Sequence, residues 1–66
     1  MTQYKIYMED EEQQAQVLNE QEVIKYAEQD RLDIGKDIWN FPSPITTFNE
    51  AVYYLDTRDI IVEELN

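Results

Sequence analysis

The amino-acid sequence predicts a small α+β fold: a three-stranded, mainly antiparallel sheet with two helices on one face, in the order β-β-α-α-β. Three observations carry that expectation. Residues 3–9 alternate with period two, as a half-buried strand does. Two capping signatures, Asn19 with Glu22 and Thr47 with Glu50, each open an apolar pattern of helical period. A β-branched run, Ile60, Ile61 and Val62, follows the second of these patterns. Without the second strand the same pieces give β-α-α-β, in which Tyr4–Met8 pairs only with Ile60–Val62.

Taken in order, the first strand points Tyr4, Ile6 and Met8 one way and Lys5, Tyr7 and Glu9 the other. Glu9, Asp10, Glu11 and Glu12 follow. Like charges this dense repel and stay hydrated, so they form a solvated turn. Residues 13–18 read as a second strand, through a weak alternation of Ala15 and Val17 with Gln14 and Gln16. An early helical turn is the alternative there.

Asn19 then caps a helix. Glu20 and Glu22 lie in its first turn, where the helix dipole favours negative charge. Val23, Tyr26 and Ala27 form its inner face, with Ile24 beside them. The helix is expected to stop near Arg31 or Leu32. Residues 32–46 hold the single glycine and both prolines, together with Ile38, Trp39 and Phe41. Gly35 suits a helix C-cap or a turn. The large apolar side chains make the segment an ordered loop lying across the core. Trp39, Phe41, Phe48, Tyr4 and Tyr26 are expected to be core.

The last helix follows Thr47. Phe48, Ala51, Val52 and Leu55 recur at helical spacing as its inner stripe, Tyr53 faces away, and Tyr54 sits on a flank. Asp56, Thr57 and Asp59 compete for backbone hydrogen bonds and end the helix.

The chain has 66 residues, enough for one domain, 1–66, with a small core. Fifteen acidic residues against five basic ones give a net charge of −10. Such a chain has no basic footprint with which to displace counterions, so direct nucleic-acid binding is not expected. Anionic membrane surfaces are disfavoured for the same reason. No apolar run is long enough to span a bilayer, and no leader-like segment is evident, so the expected location is cytoplasmic.

Catalytic chemistry lacks its usual residues. The sequence contains no cysteine and no histidine. Cys–His and Ser–His nucleophile pairs and imidazole–zinc sites therefore have no components. One glycine cannot build a phosphate-cradling loop. Counted from Asp30, Gly35 falls at the glycine position of a calcium loop, but Leu32, Ile34 and Phe41 occupy positions that must supply oxygen ligands. No enzyme activity, cofactor or metal site is expected.

What remains is surface. Tyr7, Tyr53 and Tyr54 are expected to be at least partly exposed, and aromatics with a polar tip are favoured at interfaces. With Glu9, Asp10, Glu11 and Glu12 they form the candidate interface. The functional expectation is a non-catalytic acidic protein that acts through protein–protein interaction, as an accessory or regulatory module. Self-association as a homodimer is a subcase, because a small domain gains stability by burying surface on a copy of itself. The alternative is a DNA mimic that occupies the basic groove of a nucleic-acid-processing enzyme.

Overall fold

The computed structural model describes residues 2–35 and 44–65. Within them the order is β1 (Gln3–Met8), a short 3-10 turn (Glu12–Gln14), β2 (Gln16–Asn19), α1 (Glu20–Asp30), α2 (Phe48–Thr57) and β3 (Ile60–Glu64). A π-type turn, Arg31–Gly35, continues α1. This is the expected β-β-α-α-β fold. Trp39 and Phe41, expected in the core, lie outside the described residues.

The sheet runs β2-β1-β3, and both neighbours are antiparallel to β1. The chain must therefore cross from one edge of the sheet to the other between β2 and β3. It does so through α1 and α2, which is why both helices cover the same face. Tyr4 and Ile6 of β1 and Ile60 of β3 are buried beneath them, against Val23 and Ala27 of α1 and Ala51, Tyr54 and Leu55 of α2. Ile45, ahead of α2, completes this core, and the Phe48 ring lies 4.7 Å from that of Tyr4.

Both capping boxes form. The Asn19 side chain accepts from the Glu22 amide and the Glu22 carboxylate accepts from the Asn19 amide, each at 2.9 Å. Thr47 and Glu50 exchange the equivalent bonds at 3.2 Å. These bonds satisfy amides that the first helical turn leaves without partners.

Three local expectations change. Residues 13–18 split: the helical alternative holds for Glu12–Gln14, and the strand begins at Gln16. The α-helix ends as expected, at Asp30 with Arg31 as its C-cap, but the loop expected from residue 32 does not begin at once: a π-type turn, Arg31–Gly35, follows, with Gln29 donating to Asp33 at 3.1 Å. The inner stripe of α2 is Ala51, Tyr54 and Leu55, and Val52 is only half-buried.

Tyr54 is the largest correction. Expected on a flank and partly exposed, it is 0% exposed. A buried tyrosine needs a partner for its hydroxyl. Tyr54 finds one in Asp30, the last residue of α1, at 2.6 Å. Arg58 Nε donates to the same carboxylate oxygen at 2.8 Å. This cluster ties the C-terminal ends of the two helices together.

Candidate functional site

Strand alternation decides what the uncovered face of the sheet displays. With Tyr4 and Ile6 turned inward, Gln3, Lys5 and Tyr7 of β1 point outward. The register places Val17 of β2 and Glu63 of β3 on either side of Lys5, and Ile61 beside Tyr7. Leu65 continues the outward set and donates its amide to the Gln3 carbonyl at 2.9 Å. Val17 is 54% exposed and Leu65 46%. Tyr7 and Ile61 are half-buried by their neighbours.

Polar contacts order the centre of this face. Lys5 Nζ bonds Glu12 Oε2 at 2.6 Å and stands 5.3 Å from the centroid of the Tyr7 ring, a cation–π distance. The Tyr7 hydroxyl donates to the Glu63 carboxylate. That hydrogen bond, with some desolvation, pushes the Tyr7 hydroxyl up to about 12. Its bond to Glu12 raises the Lys5 ammonium. At neutral pH both therefore keep their protons: Lys5 is a fixed cation and Tyr7 a hydrogen-bond donor, and neither acts as a base.

The acidic turn adjoins this face at one end. Glu11 donates its amide to the Met8 carbonyl at 2.9 Å, which folds the turn tightly after β1. The Glu9 amide reaches the Asp59 carbonyl at 3.1 Å, so the β1–β2 turn lies beside the α2–β3 turn. Glu9, Asp10, Glu11, Asp56 and Asp59 are all exposed in this region. Among the described residues the ion pairs are Lys5–Glu12, Arg31–Glu28 and Arg58–Asp30. None of them neutralises Glu9, Asp10, Glu11, Asp56 or Asp59.

The other carboxylates near the core are structural. Glu28 accepts both Arg31 Nε and Nη2 at 2.7 Å, and the Ile45 amide at 3.0 Å. The Arg31 guanidinium holds the Glu28 carboxyl below its usual range, helped by that amide. Burial and the bond to Asp30 push the Tyr54 hydroxyl up to about 12. The Tyr54 hydroxyl therefore keeps its proton at neutral pH, and its bond to Asp30, with that of Arg58, clamps α1 to α2. A shallow concavity of about 480 Å³ lies along β2 and α1, lined by Leu18, Lys25, Tyr26 and Asp33 among others. Among the described residues no group of three or more acidic side chains could hold a metal ion, and no helix is long and apolar enough to cross a membrane.

The structure therefore divides the candidate interface. Tyr7 and Glu9–Glu12 belong together, joined through the Lys5–Glu12 bond. Tyr53, 63% exposed, lies on the side of α2 that faces away from the sheet, across the molecule from Tyr7. Tyr54 is in the core. Sequence reasoning did not assemble Val17, Ile61, Glu63 and Leu65 around Tyr7. Alternation placed Tyr7 outward, but only the β1–β3 register shows which face of β3 accompanies it. Comparison of the chain with protein-family models, curated proteins and solved structures found no match.

Proposed function

We propose that the chain is a cytoplasmic, non-catalytic binding protein that engages a basic protein surface through the open face of its sheet and the acidic turn beside it. The observation that carries this reading is the juxtaposition of Tyr7, Ile61 and Val17, left uncovered by the helices, with the exposed carboxylates of Glu9, Asp10 and Glu11. Apolar and aromatic side chains at the centre of an interface supply affinity by losing water, while charges at its rim steer the partner and set specificity. Tyr7 is held in place by Lys5 and Glu63, so it loses less side-chain entropy when a partner covers it.

The test is affinity capture from the native host with the parent chain, with a Tyr7→Ala/Ile61→Lys variant and with Tyr53→Ala. The expected partner is basic and elutes with salt. The double variant loses at least about tenfold in affinity, equivalent to about 1.4 kcal/mol, while Tyr53→Ala retains the parent value. Equal retention by the double variant, with its cooperative melt intact, would sink the reading. Binding by Tyr53→Ala that falls as far would move the interface to the helical layer.

A second reading is an inhibitor that mimics DNA. It is favoured by the gathering of Glu9, Asp10, Glu11, Asp56 and Asp59 where two turns meet, without a neutralising cation among the described residues. Carboxylates so grouped present Arg and Lys of a DNA-binding groove with charges in place of phosphates. A panel of nucleic-acid-processing enzymes discriminates the two. Mimicry requires competition with DNA that weakens as salt rises and is lost on neutralising those acids. It does not require Ile61.

A further inference from the structure

We infer that the free edge of β3 takes an extended, cationic segment of the partner as a fourth strand of the sheet. The inference rests on the binding role proposed above and specifies its geometry. In an antiparallel ladder, alternate residues direct both their N–H and their C=O to the same neighbouring strand. The Leu65 amide bonds Gln3 and the Asp59 carbonyl accepts from Glu9, so the odd-numbered residues of this run face β1. Ile60, Val62 and Glu64 then direct their backbone groups away from it. Ile60 is only 4% exposed, which closes that end of the edge. Val62 is half-buried and Glu64 exposed, and among the described residues no strand lies beyond β3 in the order β2-β1-β3. Their two amides and two carbonyls are the template for an added strand.

The opposite edge is less suited. The β2 strand spans only Gln16–Asn19, and the Asn19 amide is committed to Glu22 as the chain enters α1. The β3 strand carries neither proline nor lysine, residues that commonly block edge pairing. Its blocking charges are Glu63 and Glu64, and these repel only acidic strands. Charge complementarity selects the occupant: on the open face Lys or Arg meets Glu63, and on the helix side an apolar side chain meets Val62. A second copy of this chain would instead bring another ten net negative charges to the edge.

The probe is a short blocked peptide alternating Arg and Val, with a Glu/Val peptide as control, followed by amide hydrogen exchange in the parent chain. In the free protein the Val62 and Glu64 amides exchange faster than those of Ile61 and Glu63. The Arg/Val peptide slows both by about tenfold or more, and the Glu/Val peptide does not. Glu64→Pro removes one outward donor without touching the β1 ladder, so it keeps the parent melt and loses that protection. The inference is overturned if the Arg/Val peptide leaves both amides fast, or if the Glu/Val peptide protects them equally. It is also overturned if they are already slow in dilute free protein, which means the chain covers its own edge, or if they slow with protein concentration alone, which makes a second copy the occupant. Peptide-induced shifts at Tyr7 and Ile61 without protection at Val62 and Glu64 reject the edge and leave the open-face reading standing. Protection at the edge together with partner capture that ignores Tyr7 and Ile61 does the reverse.

Discussion

The two faces of the sheet are built from the same strands and do opposite work. Beneath the helices, Tyr4, Ile6 and Ile60 are sealed from water with Leu55, Tyr54 and Val23. On the open face, Lys5, Tyr7, Ile61 and Glu63 neighbour one another in the same register. The inner face spends its apolar area on stability. The outer face keeps part of its apolar area in contact with water and fixes it with polar contacts. In a chain this short the core is small, so apolar side chains left outside it are candidates for work on a partner.

Truncation separates the faces most sharply. Leu55→Ala removes a fully buried side chain and is expected to cost about 3 kcal/mol, through lost transfer energy and the cavity left behind. Ile61→Ala, on the half-covered outer face, is expected to cost under about 1 kcal/mol. Thermal and denaturant melts of both variants check this. Equal losses would mean that the outer face is as much a core as the inner one, and the proposed interface would lose its basis. Tyr54→Phe comes next, at about 1.5 kcal/mol, because it leaves Asp30 with one donor fewer at a part-buried site. Asp30→Asn in the Tyr54→Phe background should add less than it does alone, since the two side chains share one cluster.

The two tyrosines sharpen the contrast without any change of fold. Tyr7 on the open face and Tyr54 in the core are both pushed up to about 12, for different leading reasons. Hydrogen bonding to Glu63 dominates for Tyr7, and burial dominates for Tyr54. Glu63→Gln should therefore return Tyr7 toward its ordinary value and leave Tyr54 where it is, while Asp30→Asn should lower Tyr54 only in part. An ultraviolet titration with each tyrosine replaced in turn by Phe assigns the steps. The sign for stability follows from the raised values. A phenol that is harder to ionise in the folded chain adds stability that is fully present below about 10, and loses it as pH climbs through about 12. Alkaline unfolding should thus begin in that window, and Tyr54→Phe should flatten it.

The sequence disclosed what depends on local spacing. Asn19 with Glu22 and Thr47 with Glu50 place both helix starts, and the alternation from Gln3 sorts β1 into its two faces. It did not disclose what depends on a distant partner. Tyr54 looks like a flank residue on a helical wheel, and it can be core because Asp30, 24 residues earlier, accepts a hydrogen bond from its hydroxyl. Ile61 looks like one more core residue in an apolar run, and it faces outward because the ladder sets it beside Tyr7. The candidate interface was legible as residue types, in Tyr7 and the acidic turn, and illegible as a surface, because its other half comes from the far end of the chain.

That half depends on one backbone position. Asp59 has φ of 59°, the left-handed region, and it turns the chain from α2 into β3. A slip of one residue here would exchange the inward and outward sets of β3, placing Ile61 in the core and Ile60 on the open face. Aspartate tolerates this conformation better than most residues, though its Cβ still crowds the backbone. Asp59→Gly removes that crowding and keeps the carbonyl that accepts from Glu9, while glycine's freedom in the unfolded chain offsets part of the gain. The expected net effect is a stabilisation of about 0.5 kcal/mol, with unchanged β1–β3 contacts by NMR. Asp59→Val, which resists positive φ, should destabilise by about 1–2 kcal/mol. If Asp59→Val instead melts like the parent and Ile61 becomes protected from solvent, the register is set elsewhere, and the assignment of the two faces is wrong at its hinge.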